Sequence, residues 1–118
     1  MAGFTPGQIV LVDWRDALPK EPNKLRPAIV VEDAELFGPS YPNVILVPIS
    51  EDRDIAPPPL ALVIDPTREN GCSKRCYALS AYVAATSKQR LRPTASHILP
   101  SQLDVIRRQI ALALGLEV

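Results

Sequence analysis

Few side chains in this sequence can do chemistry. His97 is the single imidazole, and Cys72 and Cys76 are the two thiols. These three groups cannot complete a four-ligand zinc site within one chain unless carboxylates join them. Neither cysteine has a histidine beside it in sequence, so the pair reads as structural or incidental and not as a nucleophile. A disulfide across the three-residue gap would suit a secreted protein. The start, Met1–Gln8, has neither a charged opening nor a long apolar run, so no signal peptide is expected. Reduced thiols in a cytoplasmic protein are the expectation. His97 becomes a base only if the fold brings it to Arg26; otherwise it is an exposed or satisfied histidine.

The cations and hydroxyls are more suggestive in position than in type. Arg26 precedes Pro27, which fixes the next backbone unit and biases Arg26 toward an extended conformation. Taken alone, Arg26 is a surface charge before a strand. Ser50 stands before the charged run Glu51–Asp54, where a turn or helix cap is an equally good role. Trp14 heads a long charged segment with Lys20 and Lys24, and Lys74 and Arg75 form a second basic pair near Tyr77. Formal net charge is zero, which excludes a broadly basic nucleic-acid binder. Any contact with RNA or DNA must come from a local basic patch.

The elements that must position these groups are short. The chain has 118 residues, which suits one domain, 1–118. Thirteen prolines argue against a helical bundle. Five apolar runs of strand length follow: Gln8–Asp13, Ala28–Val31, Val44–Ile49, Leu60–Ile64 and Tyr77–Ala84, rich in Val, Ile and Leu. Pro48 predicts a strand end, an edge or a bulge. Trp14–Leu25 reads as a mobile loop, Ala34–Phe37 as one helical turn, and Asn70-Gly71 as a turn between strands. Ser87–Leu91 reads as a short helix. Ser101–Leu114 reads as a longer one, with Ser101 as N-cap, an apolar stripe of Leu103, Ile106, Ile110 and Leu114, and Gly115 closing it. Arg107 and Arg108 lie toward its C-terminal half, where cations favour the helix dipole. No apolar run reaches the ~20 residues of a membrane span. The expected architecture is a small, mainly antiparallel β domain with a covering helix.

Four segments, read in order, resemble the MazF/PemK family. Pro6–Asp13 (PGQIVLVD) is similar to that family's opening G-D-I-V-W-V-D, and Leu25–Val31 (LRPAIVV) to its R-R-P-V-V-V-L. Val44–Ser50 (VILVPIS) is similar to V-I-V-V-P-L-T, and Gly71–Leu91 to the stretch running G-L to D-Q-I-R-T-V-D-K-x-R-L. The ending Ala113-Leu114-Gly115-Leu116 is also similar. The resemblance covers nearly the whole chain, and order and spacing carry it more than any one motif. It implies a CcdB/PemK-like, SH3-like small barrel: a bent antiparallel sheet with short helices, as a symmetric homodimer. It further implies sequence-selective, metal-independent cleavage of single-stranded RNA, needing no cofactor, restrained by a cognate antitoxin.

On that resemblance, Arg26 matches the family arginine that stabilises charge on the phosphate, and Ser50 matches a threonine whose hydroxyl meets it. A serine keeps the donor and the acceptor. Trp14, Lys20, Lys24, Lys74, Arg75 and Tyr82 become candidates for holding RNA by stacking or phosphate contact. The sequence also departs from the pattern. A gapless reading anchored on Leu91 puts Ala81 at the family's acid and Ala84 at its arginine. Two further readings therefore stand beside the ribonuclease: a non-catalytic binding module, and a topoisomerase poison of the CcdB kind.

Overall fold

The computed structural model describes residues 3–13 and 25–116. Among them seven strands form one bent sheet. They are β1 (Gln8–Asp13), β2 (Leu25–Val30), β3 (Asn43–Ser50), β4 (Ala61–Ile64), β5 (Cys76–Leu79), β6 (Ala84–Ser87) and β7 (Leu91–His97), followed by one helix, α1 (Pro100–Ala113). The spatial order is β4-β5-β3-β2-β1-β7, with β6 also paired to β3. All of these pairs are antiparallel. The mainly β architecture with a C-terminal helix is the expected one.

Both faces of the central strands are buried, which is why their sequences are near-continuous apolar runs. Ile9, Ile29, Val31, Val47 and Ile49 face a core completed by Ile64, Ala78, Ile98, Leu103 and Ile106. Val10, Val12, Ala28, Val30, Val44 and Leu46 face a second core with Leu91 and Phe4. The helix supplies Leu103 and Ile106 to the first core, and Ile110 packs at its margin. Leu114 lies past the end of the helix and is exposed.

Several elements differ from the expectations. The run Tyr77–Ala84 is not one strand: it is β5, a 3₁₀ turn at Ser80–Tyr82, and the start of β6. Both strands pair with β3, Ile49 with Ala78 and Leu46 with Ala84. Continuing the first register would set Ala81 across from Leu46, so the turn absorbs three residues and bends the sheet. Pro48 sits within β3 and not at its end. On that edge β6 pairs as far as Leu46 and β5 takes over at Ile49, so Pro48 falls where the partner changes. The second run extends back to Leu25, which puts Arg26 inside β2, paired with Val12.

The turn at Ala34–Leu36 forms no helix. Asp33 Oδ2 accepts from the Glu35 and Leu36 amides at 2.9 and 3.1 Å and holds it as a capped turn. Ser87–Leu91 contains only a 3₁₀ turn, Lys88–Arg90, with the Ser87 hydroxyl accepting from Gln89 N. After it comes β7, which the apolar pattern did not predict because only Leu91 among its residues is buried. Its conformation is imposed by pairing with β1.

Ser101 is not the helix cap. The helix starts at Pro100, and the N-cap position is Leu99, whose amide donates to Gln102 Oε1 at 2.8 Å. Proline is well placed there, since a first-turn amide has no partner in the helix. Gly115, at φ +77°, closes the other end as expected. Arg107 does more than complement a dipole: its Nε donates to Val31 O at 3.0 Å and its Nη2 to Glu32 O at 2.8 Å, tying the helix to the end of β2. No helix among the described residues is long and apolar enough to cross a membrane.

The helix is held mainly by Leu103 and Ile106, the latter fully buried. Ile106→Ala should cost about 2–5 kcal/mol through lost burial and the cavity left behind, whereas the part-exposed Val105→Ala should cost under about 1 kcal/mol. Urea unfolding of both variants checks this; equal losses would place the helix contact elsewhere.

Candidate active-site cleft

Strands β2 and β3 pair Ala28 with Pro48. Arg26 and Ser50 each lie two residues beyond that last pair, on the same two strands. Both residues line a cleft of about 950 Å³, a volume typical of small-ligand and substrate sites. Ile9, Leu11, Pro27 and Ile49 give it an apolar floor, while Glu51, Asp52, Asn70, Ser73, Lys74, Thr94 and Ser96 bring polar groups to its walls.

The Ser50 hydroxyl accepts from the Asp52 amide at 3.0 Å, and Asp52 Oδ1 accepts from the Asp54 amide at 2.9 Å. Ser50 is thus a turn cap as well as a cleft residue. A hydroxyl has two lone pairs and one proton, so capping uses one lone pair and leaves donor chemistry to the group. Beyond this turn, Tyr82 donates its hydroxyl to Ile55 O at 3.3 Å. Ile55 lines the cleft, but Tyr82 does not.

The facing wall is the segment between β4 and β5. Asn70 is buried and organises it. Its Oδ1 accepts from the amides of Thr67 and Cys72 at 3.0 and 2.9 Å, its Nδ2 donates to Asp65 O at 2.9 Å, and its own amide donates to the Thr67 hydroxyl at 3.0 Å. Gly71 follows at φ +66°, where a Cβ would stand 2.8 Å from Ser96 Oγ. Glycine suits the left-handed backbone, and a side chain here would make the Ser96 hydroxyl turn away. The turn expected at Asn70-Gly71 is present; its place as a cleft wall was not visible in the sequence.

Lys74, on this wall, has its Nζ 3.9 Å from Glu51 Oε1 across the mouth of the cleft. Both side chains are largely exposed, so the pair adds little stability. Arg75 lies outside the lining and donates from Nε to Asp65 Oδ1 at 2.7 Å. That hydrogen bond, and then the carboxylate's charge, raise its pKa further. Cys72 and Cys76 also line the cleft, with Sγ atoms 3.6 Å apart. Cys76 is buried, and burial followed by the Cys72 hydrogen bond pushes its thiol up to about 12.

Arg26, Ser50 and Lys74 therefore meet at one cleft, while Arg75 and Tyr82 stand just outside it. Trp14, Lys20 and Lys24 lie outside the described residues. His97 does not reach Arg26. Val12 pairs with both Arg26 and Leu91, and His97 is at the opposite end of β7, paired with Gln8, about 20 Å along the strand from Leu91. It lines a separate shallow hollow near the N-terminus. Thr94 and Ser96 were missed as cleft residues because β7 itself gave no apolar signal. Among the described residues no three His, Cys, Asp or Glu side chains gather as a set of metal ligands.

A profile of the PemK-like, MazF-like toxins of type II toxin–antitoxin systems matches residues 5–114. The chain belongs to this family. Its fold is similar to that of the Mycobacterium tuberculosis toxin MazF-mt6, with TM-score 0.71 and 20% identity over 94% of this chain and 99% of that one. An endoribonuclease in complex with its cognate antitoxin, from a mycobacterial species, matches with TM-score 0.74 and 18% identity over 99% of each chain. MazF from Deinococcus radiodurans matches with TM-score 0.75 and 17% identity, over 98% of this chain and all of that one. Within this MazF-like framework Ala81 is exposed in the 3₁₀ turn, and Ala84 is half-buried in β6 against Leu46. Neither lines the cleft.

Asn70 is the residue on which the facing wall depends. Asn70→Ala removes three side-chain bonds to backbone and leaves buried groups unpaired, so a loss of about 1–3 kcal/mol is expected. Urea unfolding together with amide exchange at Thr67–Cys72 checks it. Unchanged stability and protection would mean that the wall is held by something else.

Proposed function

We propose that this MazF/PemK-family chain is an endoribonuclease toxin that cleaves single-stranded RNA at selected sequences, needs no metal ion, acts as a homodimer in the cytoplasm and is restrained by a cognate antitoxin. The observation that carries this reading is the placement of Arg26 and Ser50 on adjacent antiparallel strands at one cleft. Family membership supports the toxin role, and the mycobacterial endoribonuclease bound to its antitoxin supports both the activity and the partner.

The chemistry follows from what such a cleft supplies. The ribose 2′-hydroxyl attacks the adjacent phosphorus, the 5′-oxygen leaves, and a 2′,3′-cyclic phosphate forms. Because the nucleophile belongs to the substrate, no metal-bound water is required. Arg26 offers a permanently charged, bidentate donor to the phosphoryl oxygens as they gain charge. Ser50 donates its proton to one of the same oxygens while its capping bond to Asp52 keeps it in place. Glu51 and Asp52 bring carboxylates to the cleft, while the position that matches the family's acid is Ala81, outside it. Lys74 meets a flanking phosphate. Trp14, Lys20 and Lys24 supply the stacking and phosphate contacts that hold the RNA strand. Arg75 and Tyr82 assist from outside, through the Asp65 and Ile55 contacts.

A second reading has its own observation. Ala81 and Ala84 remove an acid and a cation from the pattern, which favours an RNA- or protein-binding module without cleavage.

Incubating a long RNA with the protein in excess chelator and mapping the ends separates the two. Cleavage in chelator is expected; cleavage only after magnesium is added overturns metal independence, and binding with no cleavage under either condition favours the second reading. Arg26→Ala should lower single-turnover cleavage by about 10²–10³ with the fold intact, and Ser50→Ala by less. A folded Arg26→Ala protein that cleaves normally removes Arg26 from the mechanism. Restoring the pattern with Ala81→Asp and Ala84→Arg should accelerate a slow wild type. No gain beside an already fast wild type would show that this segment takes no part.

The homodimer has a separate test. A core of this size gains stability from symmetric association, so light scattering should give twice the chain mass at micromolar concentration. A monomer mass throughout that range counts against it.

A further inference from the structure

The cleft wall between β4 and β5 carries a feature that RNA cleavage does not use. Cys72 and Cys76 are both thiols, four residues apart, with Sγ atoms 3.6 Å from each other. A disulfide needs about 2.05 Å, so the sulfurs must approach by about 1.5 Å. The two ends differ in freedom. Cys76 begins β5 and is buried, with its Sγ 3.8 Å from Ile64 O. Cys72 is half-exposed, and Ser73, Lys74 and Arg75 between them are exposed. A rotation of the Cys72 side chain with a small shift of this segment closes the gap and leaves the sheet in place. Peroxides reach Cys72 first, and Cys76 is positioned to resolve the product.

We propose that Cys72 and Cys76 form a reversible intramolecular disulfide, a redox modification site in the cleft wall whose closure repositions Lys74. The oxidant is a hydroperoxide. The Cys72 thiolate attacks the O–O bond of hydrogen peroxide, hydroxide leaves, and a sulfenic acid forms. The Cys76 sulfur then bonds to the Cys72 sulfur, its proton passes to the departing hydroxide, and water leaves. Two thiols and one peroxide become one disulfide and two waters. Low-molecular-weight thiols reverse the bond by exchange.

Closure acts on the cleft through Lys74. That residue lies midway in the covalent ring and faces Glu51 at 3.9 Å. Its neighbour Arg75 is fixed to Asp65 at 2.7 Å, and Asn70 fixes the amide of Cys72 at 2.9 Å. The part of the closure that side-chain rotation does not supply falls on the residues between the two sulfurs, Lys74 among them. An effect on RNA handling rests on the ribonuclease reading given above; formation of the bond does not.

The test treats the purified full chain with hydrogen peroxide, then with dithiothreitol. Free thiols are expected to fall from two to none per chain, with loss of the mass of two hydrogens, no crosslinked species on a non-reducing gel, and recovery on reduction. Cys72→Ser and Cys76→Ser should each abolish the bond. Amide resonances of Gly71–Tyr77, Ser50 and Glu51 should shift between the two forms, and RNA cleavage should change severalfold and return with reduction. Thiols that persist, sulfinic acid at Cys72 as the main product, or disulfides between chains overturn the modification site. A disulfide that forms while the Ser50, Glu51 and Lys74 resonances stay still overturns its coupling to the cleft. If the reduced protein cleaves no RNA, the ribonuclease reading fails, and the thiol count and resonances still decide the redox site.

Discussion

The structure depends on one strand having to satisfy two partners along the same edge. Backbone amides and carbonyls buried in a sheet must be paired, and β3, at eight residues, is longer than either β5 or β6. The chain pairs its C-terminal end with β5, turns through Ser80–Tyr82, and pairs the N-terminal part with β6 in a register displaced by three residues. The displacement bends the sheet, whose two faces carry the two apolar cores. The buried Ser80 hydroxyl, which would be costly without a partner, donates to Gln109 Oε1 of the helix at 2.6 Å. The bend is thereby bonded to the element that covers the first core.

The cleft is a product of this bend and of β2 lying beside β3. Arg26 and Ser50 come from neighbouring strands, each held in the sheet by pairing on its other edge, Arg26 with Val12 and Ser50 with Tyr77. Their surroundings are mixed. The floor is apolar, which lowers the local dielectric and strengthens the field of a guanidinium. The walls are turns whose side chains cap their own backbones: Ser50 with Asp52, and Asn70 with Thr67 and Cys72. These caps hold polar groups at the rim without filling the space between them.

The first strand was legible to the residue, because Ile9–Val12 is an uninterrupted apolar run bounded by Gln8 and Asp13. The helix was legible to within a residue at its start, because Leu103, Ile106 and Ile110 recur at helical spacing. Its cap was misread because serine is the commoner cap, while Pro100 as first helical residue and Gln102 bonded back to the Leu99 amide make Leu99 the cap position. Strand β7 was illegible: Arg92, Pro93 and Ser96 carry no apolar alternation, and only pairing with residues more than eighty positions earlier makes them extended. The cleft was half legible. Arg26 and Ser50 stood out through resemblance, but the contributions of Thr94, Ser96 and the cysteines arise from long-range contacts that no local pattern encodes.

The pairing of β1 with β7 has a kinetic side. Gln8 Nε2 donates to Thr94 O across 86 residues of sequence, and Ile9 O accepts from the Thr94 hydroxyl. Contacts so distant along the chain are slow to form, since loop-closure entropy is lost before they stabilise anything. During synthesis β1 emerges long before its partner exists, and the wall that Thr94 and Ser96 give to the cleft arrives only after the six other described strands. A ribosome making this domain therefore carries it with an unfinished cleft until β7 has emerged.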